Sequence, residues 1–289
     1  MEQDYLALLE KHHRGAPDTE RARMVMSYQS QQVPRAREYL SKVGGADFLR
    51  GLRVLDVGHA YGSILYAALE MGASVAHGVE IDQTNEPFAR ALLRGCDTDK
   101  YRLSYGDFLN PNVREQLLAE YDLICCDTVL EHVQEAFHMV SLMAELLSPG
   151  GRLHIVVPNF YALDFLDREP HSLDPYLSLA DTVHWGQIVP NPPDAFPRFS
   201  GDYDAMFNAL GLEPSVVRTR DESSLGPWLD KARGLLAALP TSGVKDWGGT
   251  IAHRLRRMIA YAERRKEKWP PNLIAWHYYQ TFWTWIVRR

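Results

Sequence analysis

An apolar strand that runs into a turn of small residues constrains this chain more than any other feature. Residues 53–57 suit a parallel strand that is buried on both faces of a sheet. Gly58, Ala60 and Gly62 follow, and their lack of bulky side chains lets a ligand approach the backbone of the turn. This arrangement is typical of a nucleotide-binding unit.

A carboxylate stands at the end of the second predicted strand. A helix predicted from about residue 64 to 71 leads into a strand over 74–79, and Glu80 lies at its carboxyl end. Open α/β sheets bind ligands outside the carboxyl ends of their strands. A carboxylate there can accept hydrogen bonds from both cis hydroxyls of a ribose, each worth roughly 1.5 to 3 kcal/mol. Glu80 is therefore the predicted ribose ligand.

The spacing of the turn separates two classes of nucleotide site. Dinucleotide sites have glycines at the first, third and sixth positions of the turn, and this chain lacks the last two of them. Glycine stands instead at the first and fifth positions, Gly58 and Gly62, after an acid at Asp56. The segment resembles the first motif of the class I S-adenosylmethionine-dependent methyltransferases, V-L-D-x-G-x-G-x-G. Ala60 replaces the middle glycine, and His59 replaces a residue that is usually small.

Three further segments resemble later motifs of that family. Residues 104–108 (SYGDF) are similar to the end of its third strand, and 121–133 (YDLICCDTVLEHV) to its fourth strand and the following loop. Residues 146–159 (LLSPGGRLHIVVPN) are similar to the turn that leads into strand five. The resemblance implies an α/β fold with a seven-stranded, mostly parallel sheet and helices on both faces, the Rossmann-like methyltransferase fold.

The same resemblance implies S-adenosylmethionine as the cofactor. Asp107 would meet the exocyclic amine of the adenine, and Phe108 would pack on the ring. An N-terminal extension commonly folds over the cofactor in this family, which makes Tyr28 a candidate contact. The implied cofactor contacts are Asp56, Gly58, His59, Ala60, Gly62, Glu80, Ile81, Asp107, Phe108, Asp127 and Tyr28.

The rest of the chain is organised around this core. Residues 1–50 form a predicted N-terminal helical extension, and residues 51–289 form the methyltransferase domain. Two insertions are predicted, one at about 160–198, rich in proline and aromatic residues, and a helical one at about 225–270. The aromatic stretch near the end of the chain is predicted to supply a closing antiparallel strand over 282–287. A membrane anchor or a homodimer seam is the alternative for that stretch.

Two histidines are candidates for a general base. Methyl transfer requires mainly that the donor carbon and the nucleophile are held in line about 3 Å apart, because the methyl group is already activated. A hydroxyl or protonated amine must also lose a proton, and histidine is the usual base near neutral pH. His132, just past strand four, and His184, in the first insertion, could reach an acceptor. His154 lies inside a predicted strand and is interpreted as a satisfied core histidine.

The pair Glu131-His132 also allows a structural interpretation, in which it begins the helix after strand four. Some metal-dependent quinone O-methyltransferases carry carboxylates just before such a pair, but Thr128 stands three residues before Glu131 here. Cys125 and Cys126 are adjacent in a predicted buried strand and lack metal-ligand spacing. The sequence therefore predicts no metal site and reduced core cysteines.

Charge and hydropathy limit the partners. The formal net charge of −6 argues against a broad nucleic-acid-binding surface. A basic segment at 253–268 could contact phosphates or anionic lipid, but two glutamates interrupt it, so a solvated helix face is the preferred interpretation. The sequence shows no apolar run of transmembrane length and no signal peptide at its start, which predicts a cytoplasmic protein.

These patterns together predict an enzyme that moves a methyl group to an oxygen or nitrogen of a small molecule. A metabolite, a natural product or a sugar would each fit. Two alternatives stay open: a cofactor-binding scaffold or regulatory partner without catalysis, and an RNA or protein methyltransferase.

Overall fold

The computed structural model describes most of the predicted core. The described residues are 2–13, 30–45, 47–159, 198, 200–217, 225–238, 255, 256, 259, 260, 263 and 282–289. Tyr28 and His184 lie outside them, as do the first insertion apart from residue 198 and most of the basic segment 253–268.

The centre of the fold is one seven-stranded sheet with strand order β3-β2-β1-β4-β5-β7-β6. The strands are β1 Arg53–Val57, β2 Val75–Glu80, β3 Tyr101–Tyr105, β4 Tyr121–Asp127, β5 Leu147–Pro158, β6 Glu213–Val216 and β7 Phe282–Arg288. The first five are parallel, and β7 pairs antiparallel with both β5 and β6. The predicted fold class is confirmed.

Helices cover both faces of the sheet. They are α1 Glu2–His13, α2 Gln32–Gly44, α3 Ser63–Glu70, α4 Glu86–Leu93, α5 Pro111–Arg114, α6 Ala136–Glu145, α7 Ser200–Ala209 and α8 Leu225–Ala238. Successive strand residues point to opposite faces, so Val54 and Cys125 join a core with α1 to α4, whereas Leu55 and Cys126 join a core with α6 and α7. Both cysteines are buried and free, as predicted.

The aromatic residues of β7 belong to the core. Trp283 and Trp285 are fully buried. The indole Nε1 of Trp285 donates a hydrogen bond to Asp204 Oδ1 on α7 at 2.9 Å. The prediction that residues 282–287 form a packed closing strand is therefore confirmed. No helix within the described ranges has the length and apolar character needed to cross a membrane.

His154 is buried in β5, but it is not the satisfied core histidine that the sequence predicts. Its ring stacks on Tyr39 of α2, with ring centroids 3.7 Å apart. The Tyr39 hydroxyl donates to the backbone carbonyl of His154 at 2.8 Å. Neither ring nitrogen of His154 has a hydrogen-bond partner among the described residues. Burial lowers the pKa of His154 to about 3, so the ring is neutral at physiological pH.

Replacing His154 with phenylalanine should stabilise the protein. Phenylalanine keeps a planar ring against Tyr39 and removes two polar atoms, each of which costs about 1 to 3 kcal/mol when buried without a partner. We expect the free energy of unfolding in urea at pH 7.5 to rise by about 1 kcal/mol or more. His154→Ala removes the same nitrogens but leaves a cavity, and it should be destabilising. A less stable His154→Phe variant would contradict this account.

Candidate active site

The turn after β1 lies directly against the loop that follows β4. Gly58 has a φ of 83°, a backbone conformation that favours glycine. A Cβ atom at this position would collide with the side chain of Val129. Gly62, with a φ of 81°, is the residue before α3. The small residues that the sequence singles out thus allow the turn and the β4 loop to pack closely.

Glu80, at the carboxyl end of β2, is bound by the same turn. Its Oε2 accepts a hydrogen bond from the backbone N–H of Ala60 at 2.8 Å, and its Oε1 accepts one from the backbone N–H of Asp82 at 2.9 Å. Each carboxylate oxygen has two lone pairs, so each can accept one more hydrogen bond. The two amides fix the orientation of the carboxylate at the edge where α/β sheets bind ligands.

Two further acids lie at this edge. Asp56, near the end of β1, is buried, and its Oδ1 has no hydrogen-bond partner in the described part of the chain. Burial, with the nearby charges of Asp127 and Glu80, raises the pKa of Asp56 well above its ordinary value. Burial also raises the pKa of Asp127 to about 7, and the positive charge of Arg35 on α2 opposes this rise. A cationic ligand would stabilise the ionised form of both acids.

Three predicted cofactor contacts, Ile81 and the adenine contacts Asp107 and Phe108, follow the ends of neighbouring strands. Ile81, directly after β2, is 73% exposed, and Asp107 is exposed two residues after the end of β3. One oxygen of Asp107 accepts the backbone N–H of Leu109 at 2.8 Å, which shapes the local turn. Phe108 is buried in the core, and the guanidinium of Arg114 lies 5.9 Å from its ring centroid. The structure therefore brings Ile81 and Asp107 to the same edge, whereas the Phe108 ring, predicted to pack on the adenine, packs in the core instead.

The side chain of His59 packs inside the fold. Its ring meets Tyr105 edge to face at 5.5 Å and fills the space beside Gly78 on β2. Its Nδ1 lies 3.0 Å from the backbone carbonyl of Ala60. Burial lowers the pKa of His59 to about 4, so the ring is neutral at pH 7. Because the imidazole of His59 packs inside the fold and supports the turn, only the backbone of His59 is left as a predicted cofactor contact.

The chain leaves β4 through a strained residue. Thr128 has a φ of 55°, which is rare for a β-branched side chain. Its N–H donates to the carbonyl of Val156 at 2.9 Å, and its hydroxyl donates to the carbonyl of Asp127 at 2.7 Å. Such strained residues concentrate at functional sites.

The Glu131-His132 pair lies in a separate 3-10 turn, Leu130–His132. Helix α6 begins only at Ala136, so the structural interpretation in which the pair begins this helix does not hold. The guanidinium of Arg198 binds the carbonyls of Leu130, Val133 and Gln134 at 2.8 to 3.0 Å, and these contacts hold the segment in its own conformation.

The turn gives its two acid-base residues opposite environments. The Glu131 side chain is fully buried, whereas the His132 side chain is 41% exposed. His132 thus presents a partly exposed imidazole in the loop that packs on Gly58 through Val129. Its place at the edge of the crevice stays a prediction. His184, the other predicted base, lies outside the described residues. Within those residues, no cluster of histidine, cysteine and carboxylate side chains has the geometry to hold a metal ion.

Sequence reasoning assigns neither Thr128 nor Arg198 to the site, and it raises Glu131 only as part of the Glu131-His132 pair. The sequence around Arg198 indicates a helix start, and α7 does begin at Ser200. The contacts of Arg198 with the β4 loop span more than 60 residues of sequence, and no local pattern reports them. From the sequence, Thr128 is noted only because it stands where some metal-dependent relatives have a carboxylate, and no local pattern predicts its positive φ.

Comparisons with known proteins identify the family of this chain. A family model described as a methyltransferase domain matches residues 27–213. The ubiquinone biosynthesis O-methyltransferase of Dechloromonas aromatica is 25% identical over 181 residues, which cover 58% of this chain and 76% of the relative. The enzyme of the same name from Bordetella avium is 26% identical over 187 residues, covering 64% of this chain and 71% of the relative.

A third relative with that name, from Xylella fastidiosa strain M23, is 31% identical over 172 residues, covering 53% of this chain and 64% of the relative. The crystal structure of the [4+2]-cyclase SpnF superposes with a TM-score of 0.50 at 14% identity and covers 90% of this chain and 81% of that chain. The likeness to SpnF shows the fold alone. The family match covers well over half of the chain, and the four sequence motifs lie within it. The chain therefore belongs to the methyltransferase domain family and is a class I S-adenosylmethionine-dependent methyltransferase.

Proposed function

We propose that this enzyme methylates a hydroxyl oxygen of a small organic acceptor and that His132 is the general base. The observation that carries the proposal is the position of His132, an exposed imidazole five residues after the end of β4 and three residues after Val129, which packs on Gly58. The names of the curated relatives support oxygen as the acceptor atom. From the sequence alone, nitrogen is an equal candidate.

The described residues fit the cofactor by charge and shape. The fixed carboxylate of Glu80 would accept the ribose hydroxyls, and the exposed Ile81 and Asp107 would meet the adenine. The buried acids Asp56 and Asp127 lie where the positively charged end of the cofactor would ionise them. When bound, S-adenosylmethionine supplies an activated methyl group.

The protein's own task is then to orient the acceptor and to remove its proton. His132 would accept the hydroxyl proton while the turn and the β4 loop hold the reacting atoms in line. The first insertion, apart from residue 198, lies outside the described residues, so His184 as an alternative base stays a prediction. A cytoplasmic location, a homodimer and the absence of a nucleic-acid substrate likewise stay predictions from the sequence.

Replacing His132 with alanine tests the proposed base. General-base catalysis contributes about 100-fold or more, so we expect kcat for transfer to a hydroxyl acceptor to fall by about that factor at pH 7.5. The Kd of S-adenosylhomocysteine should stay the same, because His132 is placed on the acceptor side. A screen with radioactive S-adenosylmethionine against phenols, catechols and sugars would first supply the acceptor.

The matched control is His138→Ala, an exposed histidine on α6 that should leave kcat unchanged. Full activity of His132→Ala would reject His132 as the base and leave His184 or base-free transfer. Tight binding of S-adenosylhomocysteine by a protein that methylates nothing in the screen would favour the scaffold alternative. Transfer to RNA or protein but to none of the small molecules would favour the macromolecular alternative.

A further inference from the structure

Glu131 is a buried acid that the proposed mechanism does not yet use. Its side chain is fully buried, and neither carboxyl oxygen has a hydrogen-bond partner among the residues that the structure describes. Burying a polar group without a partner is unfavourable, and burying a charged one is more so. A glutamine or leucine would avoid the charged form, so the carboxyl group needs another explanation.

Among the described residues, five charged or titratable groups face Glu131. Cys126 and Asp127 belong to β4, Tyr203 belongs to α7, and Arg198 precedes α7. The fifth is His132, in the same 3-10 turn, whose Nε2 lies 3.9 Å from Glu131 Oε1. His132 is the only one of the five that the proposed function places on the acceptor side.

The turn that carries the pair is held rigidly. Arg198 donates to the carbonyl of Leu130 on one side of Glu131, and to the carbonyls of Val133 and Gln134 on the other. Because both ends of the turn are tied to the same guanidinium, Glu131 cannot leave the core without breaking these bonds. These bonds therefore hold the Glu131 carboxyl group in place beside the imidazole of His132.

We propose that Glu131 is a positioning residue for His132, whose carboxylate accepts the Nε2–H of the imidazole when the acceptor is bound. This inference rests on the proposed function, because it needs His132 as the base. The separation of 3.9 Å is longer than a hydrogen bond, and catalytic hydrogen bonds often tighten only when the substrate binds. With Nε2 engaged, Nδ1 is the ring nitrogen that accepts the proton of the substrate.

The methyl transfer conserves both atoms and charge. The acceptor oxygen forms the new O–CH3 bond while its O–H proton passes to Nδ1 of His132. The electron pair of the broken S–CH3 bond stays on sulfur. The imidazolium formed in this step is neutralised by the Glu131 carboxylate, and its extra proton leaves to solvent after the product departs.

The ionisation of Glu131 should control the pH dependence of the reaction. Burial raises the pKa of Glu131 to about 8, and the charge of Asp127 adds to the rise while that of Arg198 opposes it. The carboxyl group is therefore mostly neutral at pH 7, and the pair becomes a stronger base as the pH rises through about 8. We expect the acid limb of the kcat profile to lie above the ordinary histidine range, near pH 8.

The test measures kcat from pH 6 to about 9.5 for the wild type and for Glu131→Gln, which keeps the shape and loses the charge. The variant should lose about tenfold in kcat, and its acid limb should move down by about one pH unit or more. The Kd of S-adenosylhomocysteine should not change. In a His132→Ala background, Glu131→Gln should cause no further loss.

Tyr203→Phe is the matched control, because Tyr203 lies in the same buried cluster and burial raises the pKa of its hydroxyl far above 8. It should leave the acid limb in place. If Glu131→Gln does not fold, Glu131→Met supplies the neutral variant. This inference would be overturned if the acid limb of the kcat profile stayed at the same pH in Glu131→Gln, or if the losses in kcat from Glu131→Gln and His132→Ala were fully additive. His132 would then remain as the base. Activity that survives His132→Ala would instead overturn the proposed function.

Discussion

Glu80→Ala should weaken the binding of S-adenosylhomocysteine by about 100-fold or more. The carboxylate would accept two ribose hydroxyls, and each charge-assisted hydrogen bond is worth about 1.5 to 3 kcal/mol. Its loss also leaves the N–H groups of Ala60 and Asp82 without their acceptor, which loosens the turn. Isothermal titration calorimetry of the two proteins with S-adenosylhomocysteine measures the change in Kd.

Two variants sharpen this experiment. Glu80→Gln keeps the shape, but its NH2 group must face the N–H of Ala60 or of Asp82, so it should also weaken binding. Asp82→Asn removes an exposed acid two residues away while an oxygen remains to accept the N–H of Thr84. We expect its Kd to stay within about threefold of the wild-type value. An unchanged Kd for Glu80→Ala would place the ribose elsewhere.

Gly78→Ala should destabilise the fold by about 2 to 3 kcal/mol. A Cβ atom at position 78 would lie 2.5 Å from Cδ2 of His59 and 2.8 Å from Cδ1 of Leu65. Real Cβ atoms do not approach other carbons so closely, so the imidazole beneath the turn would have to move. The free energy of unfolding in urea at pH 7.5 gives the size of the effect.

The partner substitution shows whether His59 is the cause. His59→Ala removes the ring and leaves a cavity, so alone it should also destabilise the protein. In the double variant the new methyl group occupies part of that cavity, and the loss should be smaller than the sum of the single losses by about 1 kcal/mol or more. Additive losses would mean that His59 does not occupy the space beside Gly78.

The cofactor half of the site can be predicted from sequence because its determinants are local. The boundaries of β1 agree with the predicted strand 53–57, since a parallel strand buried on both faces is a continuous apolar run. Glu80 can be predicted in the same way, because the end of a predicted strand fixes which carboxylate lies at the edge of the sheet. Two glycines with positive φ, Gly58 and Gly62, stand where the turn needs them.

The acceptor half could be predicted only in part because its determinants are tertiary. The sequence places Glu131 and His132 together, but their opposite environments depend on Arg198, which is more than 60 residues away. Helix α2 places Tyr39 against the ring of His154, and neither ring nitrogen finds a hydrogen-bond partner among the described residues. The residue pattern along one strand predicts which side chains are buried, but it does not predict the hydrogen-bond partners of their polar atoms.

The place of β7 in the sheet has a consequence for how the chain folds during synthesis. β7 follows the other six strands in chain order, yet it lies between β5 and β6. Arg288 pairs with Arg152, so this part of the sheet closes across more than 130 residues. Until Trp283 and Trp285 leave the ribosome, β5 has an unpaired edge and one face of the sheet lacks its largest side chains. Such an intermediate exposes the surfaces that promote aggregation, and the addition of β7 to the sheet covers them.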